Sequence, residues 1–329
     1  MNKKTRIIKS VLSPKFILCI IISAGGIYWA FNDFKFHEFG NSILKFNYLY
    51  LLLATLFLWG SVWFRALRWR LLFRSDSLPD TASLYRAELI GYFGNNILPL
   101  RLGELLRTYL IGKEWNLSKS YVFGTVVLER ILDTISIVCL SFLLIIFYPQ
   151  EGSIVKTIIL GGCLTFTAIL ILWVILSWLK PVEGDHKIFN ALKQMIDGLL
   201  SINKAALLPV IVLSFLIWGI YCLDVYLLQY AFGFNLSFPQ VLMVLVLSSL
   251  ALAIPSAPGM IGTFHAAVKF TIVDLFGFAP NDGSSFAIIM HAYGYILLTL
   301  LGAYYFIKNQ FHENAIQNII DTDLNQGTG

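Results

Sequence analysis

Arg101, Glu104 and Arg107 follow Asn95, Asn96 and Pro99 inside a stretch, Gly91 to Arg107, that apolar residues flank on both sides. Ionisable side chains at membrane depth are costly, and they mark functional or tightly paired positions. Glu104 and Arg107 lie three apart and share a helix face; Glu129 and Asp133, with Arg130 between them, lie four apart and share another. These residue types suit phosphate recognition. Arginine presents planar paired donors that match phosphate oxygens, and the N–H groups at a helix start add to them. On this reading Arg101, Arg107 and Arg130, with Asn95 and Asn96, bind a phosphate headgroup. Glu104, Glu129 and Asp133 orient the arginines or carry a coupling proton. The competing reading is an ion-pair network that only clamps helices together, with the two asparagines capping exposed backbone.

Two further titratable residues sit in apolar surroundings. Asp224 serves either helix packing or proton carriage, and His265, beside a second Pro/Gly-rich break, suits titration near neutral pH. No metal site is expected, because no carboxylate-rich motif surrounds His265 or His291. Cys19, Cys139, Cys163 and Cys222 all fall in apolar runs without CxxC or Cys/His spacing. No Gly-x-Ser-x-Gly element is present. No cofactor is expected either.

The elements that must position these residues are apolar helices. Of 329 residues 57% are hydrophobic and 13% charged, and repeated runs reach or approach the roughly 20 residues that cross a bilayer. The fold expected is an all-α polytopic membrane protein with about six full spans: Phe16 to Ala30, Tyr48 to Phe64, Tyr121 to Phe147, Ile154 to Leu179, Leu207 to Phe232 and Phe286 to Ile307. Lys3, Lys4, Arg6, Lys9 and Lys15 place the N-terminus in the cytoplasm, with the first span uncleaved. Phe31 to Asn47 is then an outer loop, and Arg65, Arg68, Arg70 and Arg74 form a cytoplasmic cluster. The net charge of +5 resides in such juxtamembrane groups, which excludes a nucleic-acid function. Both termini are expected in the cytoplasm.

Two segments are too short and too broken to cross. Residues 84–112 and 240–276 read as re-entrant hairpins, the first broken at Pro99 and Gly103, the second at Pro255, Pro258, Gly259 and Gly262. Leu98-Pro99-x-x-x-Gly103 and Ile254-Pro255-x-x-x-Gly259 share one pattern. With six spans the hairpins enter from opposite faces, as in inverted-repeat transporters whose broken helices meet at the midplane. Irregular backbone is tolerated there only where it is buried or lines a cavity. New helices starting at the breaks would aim positive dipole ends at that cavity, with His265 and Lys269 adding charge from the second hairpin. Residues 186–204 form an amphipathic interfacial helix. Residues 1–310 make one membrane domain, and 311–329 a polar tail.

Asn95-Asn96-x-x-Pro99-x-Arg101-x-Gly103-Glu104-x-x-Arg107 resembles the signature of the lysylphosphatidylglycerol synthetase-like transmembrane family, also called flippase-like domain proteins. Glu129-Arg130-x-x-Asp133 resembles its second motif, and Pro255 to Gly262 its Pro-Gly-Gly-x-Gly break. The resemblance covers essentially the whole chain. Met260 stands where the family often has the second glycine, and His265 where an acidic residue is usual. The family includes the membrane half of the multiple peptide resistance factor, which is joined to a cytosolic aminoacyl-transferase domain; a chain ending at Gly329 leaves no room for one. Other relatives are linked to polyprenyl- or dolichol-phosphate glycolipids. The resemblance implies a transporter of a phosphate-bearing lipid in a bacterial or archaeal cytoplasmic membrane. Its partners would be membrane lipids and a separately encoded lipid-modifying enzyme. The alternatives are a lipid-modifying transferase and a non-catalytic membrane partner in envelope synthesis.

Overall fold

The computed structural model describes residues 14–74, 78–147, 157, 160–162, 164, 187–252 and 254–326, which are helices and their connections, with no strand among them. The chain is an all-α polytopic membrane protein. Three helices among the described residues are long and apolar enough to cross a bilayer: Tyr48–Arg70, Lys204–Ala231 and Pro280–Asn309. The span expected over 154–179 lies almost wholly outside the described residues.

Helix α1 (Pro14–Phe31) leads into α2 (Phe36–Leu44) through a bend of 71°. The outer loop expected over Phe31 to Asn47 is therefore largely helical. Helix α3 (Tyr48–Arg70) starts at Asn47, whose side chain accepts the Leu49 N–H at 3.1 Å, and runs past the expected end at Phe64 to Arg70. Helix α4 (Thr81–Ile97) is capped by Asp80, which accepts the Ser83 N–H at 2.8 Å. Leu98 then turns extended (ψ 144°), as a residue before proline must, and a single 3-10 turn, Pro99–Arg101, precedes α5 (Gly103–Glu114). The two arms fold back on each other because glycines leave room. A Cβ on Gly94 would stand 2.7 Å from Gly103 Cα.

Helix α6 (Lys119–Phe147) is 29 residues long, enough to cross at about 1.5 Å per residue. Helix α7 (Lys187–Leu199) has the expected amphipathic sequence, but it packs on α6 where Gly124 and Gly198 meet. Helix α8 (Leu207–Ala231) lies antiparallel to α3, and the Asn47 N–H reaches the Ala231 carbonyl at 3.0 Å. Helix α9 (Phe238–Ala251) begins at Ser237, whose N–H and hydroxyl both donate to Gln240 Oε1.

The second break holds another 3-10 turn, Pro258–Met260, before α10 (Thr263–Lys269) and a π-helical turn, Phe270–Leu275. Helix α11 (Pro280–Gln326) closes the chain, so the tail expected beyond residue 310 continues as helix to Gln326. The structure corrects the register of the two breaks. Pro99 to Gly103 corresponds to Pro258 to Gly262, not to Pro255 to Gly259: each is a Pro-initiated 3-10 turn whose third residue, Arg101 (φ 56°) or Met260 (φ 59°), is left-handed. Gly262 (φ 100°) sits against Ser23 and Gly26 of α1, where a Cβ on Gly26 would lie 2.7 Å from Gly262 C. Ser23 also accepts the Ala257 N–H at 2.7 Å.

One apolar cluster gathers α8, α9 and α11 around Leu228, Met243, Val246 and Phe286. A second gathers α3, α4 and α6 around Trp69, Leu72, Leu84 and Val122.

Candidate functional site: a charge network beside two helix breaks

Four helices bring charge to one buried place. Helix α3 supplies Arg65 and Arg68, α4 Glu88, α5 Glu104 and Arg107, and α6 Glu129, Arg130 and Asp133. Arg107 is the hub. Its Nη1 lies 2.5 Å from Glu88 Oε1 and 3.1 Å from Glu129 Oε2, its Nη2 lies 2.6 Å from Glu104 Oε2, and its guanidinium stacks 4.7 Å from the Trp69 ring. Arg65 pairs with Glu129, with Asp133 at 3.3 Å, and donates to the Tyr221 hydroxyl at 3.5 Å. Arg68 reaches Asp133 Oδ1 at 2.6 Å and the Ser214 hydroxyl at 3.0 Å. Arg130 pairs with Glu129, with Asp133 at 3.4 Å and with Glu104 at 3.8 Å.

Four guanidiniums face four carboxylates, so the network is neutral as a whole. Neutrality is what lets it stay buried inside the protein, since an unpaired buried charge costs several kcal/mol. Its members differ in access. Glu129 is completely buried and Arg107 is 1% exposed, whereas the Arg130 side chain is 37% exposed.

Arg107 was expected among the headgroup ligands. Three carboxylates and an indole ring enclose it, so it serves the network. Arg65 and Arg68 were expected in a cytoplasmic cluster and are buried instead. Together with Glu88 they are the network residues that sequence reasoning missed. The available signal was the arginine pair three apart, ending an apolar run on one helix face, and a lone carboxylate in the apolar arm before the first break.

Arg101 stands apart from the network. It is exposed, its guanidinium donates to the Leu252 carbonyl across the second break, and Arg130 and Glu104 lie near enough to act on its charge. The two breaks touch. Between them is a cavity of about 270 Å³ lined by Asn95, Leu98, Arg101 and the segment from Ile254 to Met260. Asn95 Nδ2 reaches Glu104 at 3.5 Å, tying the cavity wall to the network. Asn96 instead donates to the Thr299 hydroxyl at 2.8 Å, fastening the first break to α11.

The residues of the second break behave differently from expectation. His265 is buried, with Nδ1 3.4 Å from the Gly262 N–H and its ring edge-on to His291 at 4.7 Å. His291 Nε2 is 2.8 Å from the Gly259 carbonyl. Lys269 does not add charge to the cavity. It binds the Trp29 carbonyl and Asn32 Oδ1, each at 3.1 Å, at the end of α1. Asp224 is buried in α8 beside Tyr293, outside the network. No group of three or more His, Cys, Asp or Glu side chains is placed to hold a metal among the described residues.

Residues 16–302 match the family described as lysylphosphatidylglycerol synthase TM region. A UPF0104 membrane protein of Methanocaldococcus jannaschii is 28% identical over 219 residues, covering 65% of this chain and 93% of its own. One from Methanothermobacter thermautotrophicus is 24% identical over 80% of this chain and 87% of its own. Another from Pyrococcus horikoshii is 24% identical over 82% and 89%. No solved structure matches the chain. The family match over most of the length identifies the chain as a member of the lysylphosphatidylglycerol synthase transmembrane-region family.

Proposed function

We propose that this protein moves a phosphate-bearing lipid between leaflets of a cytoplasmic membrane, passing the headgroup through the cavity between the two breaks while the tails stay in lipid. The observation that carries this reading is that two broken helical elements line one cavity with Arg101 at its wall. The first hairpin begins at Asp80 and ends at Glu114, on the side where Arg86, Lys113 and Lys308 border one cavity. The second opens toward the face where α8 ends and α11 begins. The basic face is cytoplasmic on this reading.

Arg101 and the exposed side of Arg130 contact the phosphate, and Asn95 adds a donor. Arg65, Arg68, Glu88, Arg107, Glu129 and Asp133 form the fixed frame. Glu104 joins that frame to Arg130. Asp224, buried apart from the network, is the group assigned to proton coupling. A volume of about 270 Å³ sits near the lower end of ligand pockets, which run from about 300 to 1,000 Å³. It suits a headgroup, not a whole lipid.

Proteoliposomes loaded with a headgroup-labelled anionic phospholipid test the proposal. Arg101→Ala and Arg130→Ala proteins that melt like wild type should each lower the flipping rate at least tenfold. Wild-type rates in both variants would overturn the assignment.

A further inference from the structure

Both breaks leave backbone carbonyls without a helical donor, and one face of α11 supplies donors to both. Helix α4 stops at Ile97, so the carbonyls of its last turn lose their intrahelical N–H partners. The Tyr295 hydroxyl donates to one of them, the Asn96 carbonyl, at 3.3 Å. At the second break His291 Nε2 lies 2.8 Å from the Gly259 carbonyl, and because a carbonyl only accepts, that nitrogen carries the proton. The Thr299 hydroxyl accepts from the Asn96 side-chain amide at 2.8 Å. His291, Tyr295 and Thr299 recur every fourth residue and so form one stripe along α11.

Tyr295, at the middle of the stripe, touches both breaks. Its hydroxyl is on the first, and its ring lies so close to the second that a Cβ on Gly259 would stand 2.5 Å from Tyr295 Cε2. Helix α1 belongs with the second break, through the Ser23 hydroxyl on the Ala257 N–H and the approach of Gly26 to Gly262. Cys19, one turn before Ser23, is 3% exposed and lines the cavity between the breaks. Separation of the breaks would therefore uncover its thiol.

We propose that Tyr295 is a positioning residue for the central cavity, tying the first break to the second and keeping its two walls in register. Arg101 donates to the Leu252 carbonyl across the cavity, a contact that requires this register. The bridge is a property of the cavity itself; its part in moving a headgroup rests on the proposed transport.

The test is alkylation of the full chain in detergent by N-ethylmaleimide, with Cys19 and Cys222 followed separately by peptide mass spectrometry. Cys222 lies on α8 and does not line the cavity, so it reports general loosening. Tyr295→Phe keeps the ring and removes only the hydroxyl. It should speed Cys19 alkylation at least fivefold and leave Cys222 within twofold of wild type. Thr299→Val, which frees the Asn96 side chain but spares the Tyr295 bridge, should leave both cysteines within twofold. A wild-type Cys19 rate in Tyr295→Phe, an equal acceleration at Cys222, or an equal acceleration in Thr299→Val would each overturn the inference. In proteoliposomes Tyr295→Phe should also slow the flipping of a headgroup-labelled anionic phospholipid at least fivefold, and a rate equal to an active wild type would overturn the positioning role. Wild-type protein that moves no lipid, with the Cys19 result as expected, would overturn the transport reading and leave the bridge standing.

Discussion

Arg107 Nη1 lies 2.5 Å from Glu88 Oε1, and this one contact joins the two arms of the first hairpin, α4 and α5, at the centre of the charge network. Both side chains are almost wholly buried. Removing Glu88 leaves four guanidiniums facing three carboxylates, an excess charge in a low-dielectric interior, at a cost bounded by the loss of about 3–5 kcal/mol on breaking a buried pair. Glu88→Ala should therefore lower the unfolding free energy by up to that amount in detergent denaturation. Glu88→Leu combined with Arg107→Met should cost less than the sum of the two single changes. Additive losses would show that the pair is not coupled.

Met260 occupies a left-handed position in the second break, where a side chain costs about 1–2 kcal/mol relative to glycine. Met260→Gly should raise the thermal midpoint, with a gain of about 1 kcal/mol. Gly262→Ala should do the opposite and more strongly, because its φ of 100° is joined by a clash with Ser23. Thermal scans of the two variants beside wild type read both signs at once.

Asp80 offers a pH test outside the membrane-spanning helices. Partial burial pushes its carboxyl up, but hydrogen bonds from the Ser83 N–H and hydroxyl, with the Arg86 charge, hold it below its ordinary value of 3.8. A carboxyl depressed in the folded state stabilises fully above its unfolded pKa, and that contribution fades as pH falls through the folded value. Asp80→Ala should cost about 1 kcal/mol at neutral pH, and its difference from wild type should shrink as the pH falls below 3.8. A difference independent of pH would assign the cap to the backbone alone.

The proposed function gives proton coupling to Asp224, which is buried apart from the charge network. Asp224→Asn should abolish the dependence of lipid flipping on an imposed pH gradient and leave phospholipid binding within twofold of wild type. Flipping by the variant that still responds to the gradient would remove Asp224 from the mechanism.

Several features were legible in the sequence for plain physical reasons. Apolar length is a local property, so the membrane class and most helices followed from composition and run length. Pro99 announced its break because proline constrains the residue before it wherever it occurs. The register of the second break was not legible. Pro255 and Pro258 both fit a three-position pattern, and only the φ angles of Arg101 and Met260 distinguish them.

The sequence by itself marked Glu104, Arg107, Glu129, Arg130 and Asp133 as charges that interrupt apolar runs, which is where a buried charge must find a partner. It could not determine their partners. Arg65 and Arg68 end an apolar run in the way that topology-setting arginines do, and nothing local separates the two cases. Only the crossing of α3 against α4, α6 and α8 buried them, because pairing with Glu129 and Asp133 offsets a desolvation that a lone arginine could not sustain. The same packing enclosed Arg107 within the network and left Arg101 at the cavity wall. Two arginines of one motif thus acquired different surroundings from contacts far apart in the chain.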